Sequence, residues 1–195
     1  MGEGSNSSRG RAGTRLPRAE RRAQLVRSAA AAFLAKGFDG TSVEEVAEHA
    51  GVTRLIVYRH FAGKEDLYRA VLGSVTDSLR ERFDDGQPGN IVSTLLDVAR
   101  EQPDAFRLLW RHARHEPLFA AEAEVFRLGA AEYAAGVVGR FVADPTFRRW
   151  SASALVEHLH EGICTWLDTG DPARDEEFAV RLRNGARAIV DAWSD

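Results

Sequence analysis

Residues 41–64, TSVEEVAEHAGVTRLIVYRHFAGK, constrain the fold of this chain more than any other stretch. Apolar residues recur there at helical spacing, and Ser42 followed by Glu45 three residues later is the sequence pattern of a capping box. Gly51 follows this helical pattern, and the end of a helix favours a residue that tolerates left-handed backbone. Thr53 is then a suitable N-cap for another helix. The stretch therefore predicts two short helices joined by a tight turn.

The second of these helices has two chemically different faces. Val57 and Phe61, four residues apart, are predicted to face the core. The outward face consists of hydrogen-bond donors and cations, namely Arg54, Tyr58, Arg59, His60 and Lys64. No acidic residue occurs between Val52 and Gly63. This layout is typical of a DNA-reading helix-turn-helix, whereas a helical corner with no nucleic-acid role would not need such an outer face.

The same stretch resembles the opening pattern of the tetracycline-repressor (TetR) family of transcriptional regulators. The resemblance covers roughly residues 18–75 and is carried by Ala47, Ala50-Gly51-Val52, Thr53, Tyr58-x-His60-Phe61 and Lys64-Glu65-x-Leu67. The chain departs from the family at Leu55 and Ile56, where the family more often has a small residue followed by a polar one. The resemblance implies an all-α fold with an N-terminal three-helix DNA-binding domain and a larger C-terminal helical domain for ligand binding and dimerisation.

Charge is distributed unevenly along the chain. Residues 1–69 carry 12 Lys+Arg and 8 Asp+Glu, whereas residues 70–195 carry 14 and 21, which together give the net charge of −3. This split predicts that the front of the protein meets a polyanion and the rest does not. The single cysteine, Cys164, excludes an internal disulfide, and no apolar run reaches the length of a membrane span. We therefore expect a cytoplasmic protein without a membrane partner.

Three parts follow from composition and periodicity. Residues 1–16 are rich in Gly, Ser and Arg and are predicted to be a disordered basic arm, which either contacts DNA or remains a solvated tail. Residues 17–66 form the predicted DNA-binding domain, and residues 67–195 the effector-binding and dimerisation domain. The predicted helices are 18–36, the two of the motif, 64–83, 90–101, 103–114, 118–143, 146–169 and 173–194.

Five residues are predicted to contact the DNA backbone. Thr41 and Thr53 stand at helix amino ends, where amides and hydroxyls can bind phosphate. The family resemblance implies that Tyr58 and Lys64 grip phosphates. His60 is predicted to be a phosphate contact or a structural residue.

Four residues are predicted to face base edges. Arg54 and Arg59 can bind guanine through paired hydrogen bonds, so replacing Arg59 should weaken binding selectively at one base step. Leu55 and Ile56 can touch thymine methyl groups instead. For Ile56 the alternative is that it packs inward.

The last two predicted helices have broad apolar faces, which exceed what one small domain needs to cover. Their apolar residues are Leu155, Leu159, Ile163, Phe178, Leu182, Ile189 and Trp193. Pairing with the same helices of a second copy would make a four-helix interface. A twofold dimer would place its reading helices roughly 34–36 Å apart, which predicts a near-palindromic operator.

A helical domain this large is more than dimerisation requires, and the resemblance implies a pocket for a small-molecule effector. Aromatic and polar residues within apolar helices are the candidates for its lining: Phe106, Trp110, His112, Phe126, Tyr133, His158, Glu161 and Trp166. No cofactor is expected. A metal site in the run 157–161 is disfavoured, because His158 and His160 point about 200° apart on a helix. Surface pairing with arginines is the expected role of that run.

Taken together, these features predict a DNA-binding regulator, in the simplest case a homodimeric repressor released from its operator by a small molecule. An activator, or a regulator controlled by a protein partner, is the alternative. An enzyme is the third possibility, and the chain has no glycine-rich phosphate loop, no GxSxG and no HExxH to favour it.

Overall fold

A computed structural model describes residues 16–84 and 91–194, and these residues are helical with no strand. The helices are α1 (Arg18–Lys36), α2 (Val43–His49), α3 (Arg54–Tyr58), α4 (Lys64–Asp84), α5 (Ile91–Glu101), α6 (Pro103–Arg107), α7 (Ala120–Val138), α8 (Pro145–Thr169) and α9 (Asp175–Trp193). The all-α prediction is confirmed. All but the last residue of the predicted basic arm lies outside the described residues, so that prediction stays open.

Local sequence signals account for the first three helices. Ser42 Oγ accepts a hydrogen bond from the Glu45 amide at 3.2 Å, and the Glu45 carboxylate accepts one from the Ser42 amide at 2.9 Å. The predicted capping box is therefore confirmed. Gly37 and Gly51 have φ values of 72° and 65°, and each follows the end of a helix. Lys36 pairs with Glu45 and, with the Ser42 amide, lowers the pKa of that carboxyl to about 2.

Helix α4 connects the two halves of the molecule. It packs against α1 on one side and against α5 and α6 on the other. Its inward residues Leu67, Val71 and Val75 are completely buried, and each such side chain contributes about 1.5–3 kcal/mol through removal from water. The predicted boundary at residue 66 falls inside α4, and it stays a prediction.

The helix predicted for residues 103–114 is not continuous. Helix α6 ends at Arg107, a π-helical turn follows over Leu108–His112, and a 3₁₀ turn follows over Ala113–His115. Leu108, Leu109 and Trp110 are all buried, although three successive residues of an α-helix would spread over most of its circumference. The π-helical turn, which is wider than an α-helical one, accompanies this run of consecutive buried side chains. Helical periodicity does not predict such a run.

The predicted dimer residues on α8 and α9 turn mostly inward. Leu155, Leu159, Ile163 and Leu182 are buried within the single protomer, where α8 and α9 pack against each other and against α5, and α8 also packs against α7. They cannot form an outward surface, so their assignment to the dimer interface is wrong. Periodicity identified buried positions, but the covering surface belongs to the same chain.

The other predicted dimer residues are half-buried. Phe178 stacks on Trp166 with 4.6 Å between ring centroids, and Trp193 lies 4.7 Å from Trp150. Ile189 is also half-buried. These three keep part of their surface exposed. Among the described helices, none is long and apolar enough to cross a membrane.

Candidate nucleic-acid interface and ligand cavity

Helix α3 presents the predicted outward face to solvent. Val57 and Phe61 are 1% and 2% exposed and hold the helix to the core, as predicted. Leu55 is 61% exposed and Tyr58 is 42% exposed. Arg54 is exposed and lies over the Tyr58 ring at 5.1 Å from its centroid. The segment therefore offers aliphatic, aromatic and cationic surface together.

Arg54 has a partner that the local sequence does not indicate. Its guanidinium lies 2.5 Å from the Glu44 carboxylate of α2, and both side chains are more than half exposed. An exposed pair of this kind contributes about 0–1 kcal/mol and is readily exchanged for another anion. The pair orients Arg54 without preventing it from binding a base edge.

The two threonines predicted to bind phosphate differ. Thr53 is exposed at the N-cap of α3, and its side chain makes no capping hydrogen bond. Thr41 is 2% exposed, and its hydroxyl lies 3.2 Å from the Ala32 carbonyl oxygen and 2.8 Å from that of Gly37. Because this hydroxyl is buried and used within the protein, the predicted Thr41 contact is wrong. Thr41 instead ties the turn before α2 to the end of α1.

Lys64 is also engaged within the protein. Its Nζ donates a hydrogen bond to the Phe38 carbonyl oxygen at 2.8 Å and lies 4.2 Å from the centroid of the Phe38 ring. The side chain therefore joins the start of α4 to the turn between α1 and α2. The ammonium group keeps two further N–H donors, so its phosphate contact stays a prediction.

A second part of the predicted interface is concave. A cavity of about 450 Å³ lies between the start of α1 and the end of α3, and we call it the basic cavity. Its lining consists of Leu16, Arg18, Arg21, Ile56, Arg59 and His60. Ile56 is half-buried in its wall, so both alternatives for this residue stay open.

A larger cavity lies in the C-terminal half, among α4, α5, α7 and α8. Its volume is about 580 Å³, which is within the range of small-molecule sites. We call it the apolar cavity, because most of its walls are hydrocarbon. It is lined by Thr76, Leu79, Arg80, Phe83, Ile91, Leu95, Glu122, Val125, Phe126, Gly129, Ala130, Tyr133, Ala134, Val137, Leu155, Val156, Leu159 and His160.

His160 is the one lining residue that is both buried and titratable. It is 5% exposed, and burial lowers its pKa to about 3. Its Nδ1 donates to the Val156 carbonyl oxygen at 2.6 Å, because a carbonyl can only accept. The ring stacks on Trp110 with 3.3 Å between centroids. His160 is thus a neutral core residue and departs from the expectation for the run 157–161, whereas Glu157 and Glu161 pair with Arg127 and Arg111 as expected.

Of the eight residues predicted for the effector pocket, Phe126 and Tyr133 line the apolar cavity. Trp110 stands behind the lining, where it contacts Phe126 at 5.5 Å between ring centroids. Phe106 is completely buried and stacks on His160 at 6.0 Å. These two aromatics support the wall rather than form it.

The remaining four predicted pocket residues lie elsewhere. His112 and His158 are exposed, and neither lines the apolar cavity. Glu161 is exposed and paired with an arginine of the π-helical turn. Trp166 donates its indole N–H to Asp175 at 2.7 Å. None of these four lines the apolar cavity. Within the described parts of the chain, no group of three His, Cys, Asp or Glu residues is placed to hold a metal ion.

Several residues that form the cavity wall were not predicted from sequence. Thr76, Leu79, Arg80 and Phe83 all come from α4. Helical periodicity can mark the apolar residues of α4 as inward-facing, but it cannot show that part of the space they face is unfilled. Glu122 was missed because an exposed glutamate has no sequence signal that marks it as the rim of a cavity.

Comparison with known proteins agrees with this geometry. Residues 25–71 match the model of the family described as bacterial regulatory proteins, tetR family. The HTH-type transcriptional activator FasR of Mycolicibacterium smegmatis is 30% identical over 181 residues, which cover 87% of this chain and 82% of that protein. The chain belongs to the TetR family. It is a DNA-binding transcriptional regulator, and not an enzyme.

Other members of the TetR family match more locally or in fold alone. The HTH-type transcriptional repressor BepR of Brucella suis is 31% identical over 94 residues, 45% of either chain. A TetR-like transcriptional regulator from Rhodococcus sp. RHA1 superimposes with a TM-score of 0.71 at 20% identity, covering 89% of this chain and 97% of that structure. A regulator from Aquifex aeolicus gives 0.69 at 17% identity, over 87% and 99%. These structures support the fold.

Proposed function

We propose that this protein is a homodimeric repressor, released from a near-palindromic operator when a small apolar molecule fills the apolar cavity. The observation that carries the proposal is the position of α4. Thr76, Leu79 and Phe83 of α4 form part of the cavity wall, and α4 is also the helix that follows α3. A ligand that binds one position of α4 better than another therefore shifts the position of α3, which we call the reading helix.

The DNA-reading half of the proposal rests on the exposed face of α3. A major groove about 12 Å wide admits one α-helix. Arg54, Leu55 and Tyr58 are outward on α3 and would meet base edges or backbone there. Thr53 has a hydroxyl without a capping partner, which suits a phosphate contact.

The dimer half rests on the outward faces of α8 and α9. Phe147 and Trp150 of α8 are 63% and 54% exposed, and Val180 of α9 is 39% exposed. Exposed large apolar side chains on adjacent helices are typical of a protein interface. A second copy packed there would complete a four-helix arrangement and place two reading helices roughly 34–36 Å apart.

The lining of the apolar cavity defines the class of effector. Polar groups reach it from Thr76, Arg80, Glu122 and His160. His160 is neutral at physiological pH, because its pKa lies near 3. The effector should therefore be a largely apolar small molecule that carries few hydrogen-bonding groups.

Two contacts connect the apolar cavity to the DNA-binding half. Glu122 lines the cavity and accepts a hydrogen bond from Arg69 of α4 at 3.0 Å. Phe119, just before α7, stacks on Tyr68 at 4.2 Å and meets Phe38 at 4.9 Å. Movement of α7 around a ligand would therefore reach the turn between α1 and α2 as well as α4.

Activation is the second candidate function. FasR is named an activator, and its match covers 87% of this chain. BepR is named a repressor, and its match covers 45% of this chain. The longer match is the observation in favour of activation. Either action takes place on DNA, so we place the protein in the cytoplasm.

Filling the apolar cavity tests the proposal directly. Gly129 lines it, and a Cβ at this position would meet no atom within 4 Å. Gly129→Trp should keep DNA binding and lose the response to effector. The effector is found first by thermal-shift screening of the wild-type protein, since ligand binding raises apparent stability. Gel shifts with the DNA upstream of the gene should then show a ligand effect of about 5–150-fold for the wild type, and none for the variant.

The matched control is Gly136→Trp. Gly136 is on the same helix and also has open space around a new Cβ, but it does not line the cavity. This variant should respond to the effector as the wild type does. An unchanged response in Gly129→Trp would contradict the cavity assignment. A reporter gene fused to the upstream DNA separates repression from activation by the sign of the change on deleting the regulator.

A further inference from the structure

The basic cavity gathers cations that have no carboxylate partner. Among the described residues, Arg18, Arg21 and Arg59 form no ion pair within 4.0 Å. Arg21 donates only to the neutral amide oxygen of Gln24, at 2.6 Å. Most arginines from α4 onward behave differently: Arg100, for example, makes two hydrogen bonds of 2.7 Å to Asp175. Like charges held together without a counter-ion repel each other, so the basic cavity is complementary to an anion.

His60 adds an unsatisfied polar atom to this site. Its Nδ1 is buried and has no hydrogen-bond partner. Burial, and then the charges of Arg18, Arg22 and Arg21 of α1, lower its pKa below the usual value of 6.5. A buried polar atom without a partner in the protein marks a position that a water molecule or an ion can occupy.

Both chain segments that line the basic cavity also border the reading helix. Arg59 and His60 directly follow α3, and Arg18 and Arg21 occupy the first turn of α1. Leu16 and Ile56 complete the wall with hydrocarbon. The nearest anion outside the protein, when α3 lies in a major groove, is the DNA backbone.

We propose that the basic cavity binds one backbone phosphate beside the groove that α3 enters, with Arg18, Arg21, Arg59 and His60 as its ligands. Guanidinium groups bind phosphate through paired, charge-assisted hydrogen bonds, and the ring of His60 lines the same cavity. This assignment makes Arg59 a backbone contact, in place of the guanine contact expected from sequence. It rests on DNA binding alone and not on the effector.

Phosphate binding should couple DNA affinity to protonation of His60. The charged groups around this ring are Arg18, Arg21 and Arg22 of α1, and Arg59 lines the same cavity. None is acidic, so the bound phosphate would be the first negative charge beside the ring and would raise its pKa. The complex should therefore take up a proton, and affinity should rise as pH falls through the window between the free and bound pKa values.

The test measures binding of a labelled random-sequence duplex of about 30 bp, roughly three helical turns, by fluorescence anisotropy at several salt concentrations. The double variant Arg18→Ala, Arg21→Ala should lower the slope of log affinity against log salt by about 1, because one phosphate contact is lost. Affinity should fall about 10-fold or more, to a similar extent on upstream and random DNA. The control is Arg27→Ala, which lies about half a helical turn around α1 from Arg18 and should leave the slope unchanged.

A second readout protects the test against a folding defect in the double variant. In the wild-type protein, the NMR titration of the His60 ring should show a higher pKa with duplex than without. A slope equal to that of Arg27→Ala, or a His60 pKa that DNA does not raise, would overturn the proposal. Failure of the wild type to bind any duplex would instead count against the regulator itself.

Discussion

The two cavities of this protein are chemically opposite, and each has a histidine with a lowered pKa. In the basic cavity the pKa of His60 is lowered by burial and by neighbouring arginines, and its Nδ1 has no partner. In the apolar cavity the pKa of His160 is lowered mainly by burial, and its Nδ1 donates to Val156. The first histidine gains from the arrival of an anion. The second has its hydrogen bond already and remains uncharged.

The arginines show the same difference between the two halves. Around the basic cavity they lack carboxylate partners, whereas Arg107 and Arg111 both pair with Asp168 on α8, at 2.7 Å and 2.6 Å. The total number of arginines is therefore uninformative about DNA binding. A cluster of unpaired charges around one cavity indicates where a polyanion can bind, and an unfilled apolar space indicates where a small molecule can bind.

The largest expected effect concerns His160 and the stability of the apolar half. Its folded pKa of about 3 lies below the unfolded value near 6.5, so the unfolded chain binds the extra proton and stability falls as pH falls from 6.5 toward 3. Between pH 7 and pH 4.5 this single group should cost about 2–3 kcal/mol of unfolding free energy. Denaturant titrations at several pH values measure the loss.

The matching variant is His160→Asn, which keeps an N–H donor for the Val156 carbonyl and cannot be protonated. Its stability should fall less than that of the wild type over the same pH range. Parallel curves for the two proteins would show that His160 titrates normally, and that the walls of the apolar cavity admit water and charge.

A somewhat smaller effect should separate the reading helix from the basic cavity. Arg54→Ala should weaken binding to the operator by about 1–2 kcal/mol and leave random DNA nearly unchanged, since a base contact is worth about 1–3 kcal/mol and Arg54 must first leave Glu44. Arg59→Ala should weaken both equally. Anisotropy titrations with operator and random duplexes measure, for each variant, the ratio of its affinities for the two DNAs. If Arg59→Ala were the selective variant, Arg59 would be the base reader and the basic cavity would lose one ligand.

Sequence was sufficient where structure depends on neighbouring residues. The capping box of Ser42 and Glu45, the left-handed Gly51 and the inward Val57 and Phe61 are all determined within a few positions, and all were confirmed. The chemistry of such motifs needs no knowledge of distant parts of the chain. The family resemblance rested on residues of the same short stretch, and it was confirmed because such a motif is set by neighbouring residues.

Sequence was insufficient where a role depends on what covers a surface. Periodicity showed that Leu159 and Ile163 are buried, but it could not show whether the same chain or a second copy buries them. Thr41 stood at a helix start, yet carbonyls of α1 and the turn after it use its hydroxyl. His160 lay among charged neighbours in sequence, although its own face of α8 points into the core. Each error concerns a tertiary contact.

The smallest expected effect tests whether the two cavities communicate. Glu122 lines the apolar cavity and pairs with Arg69, both side chains being 47% exposed. Exposed pairs couple weakly, so Glu122→Gln should reduce the effect of the ligand on DNA affinity by about 0.5 kcal/mol, roughly 2-fold. A double-mutant cycle with Arg69→Ala, read out as DNA affinity with and without effector, isolates the pair. Glu124→Gln is the control, because Glu124 is exposed on the same helix and does not line the cavity. An unchanged ligand effect in Glu122→Gln would mean that α4 alone transmits the signal, through its own packing against the ligand.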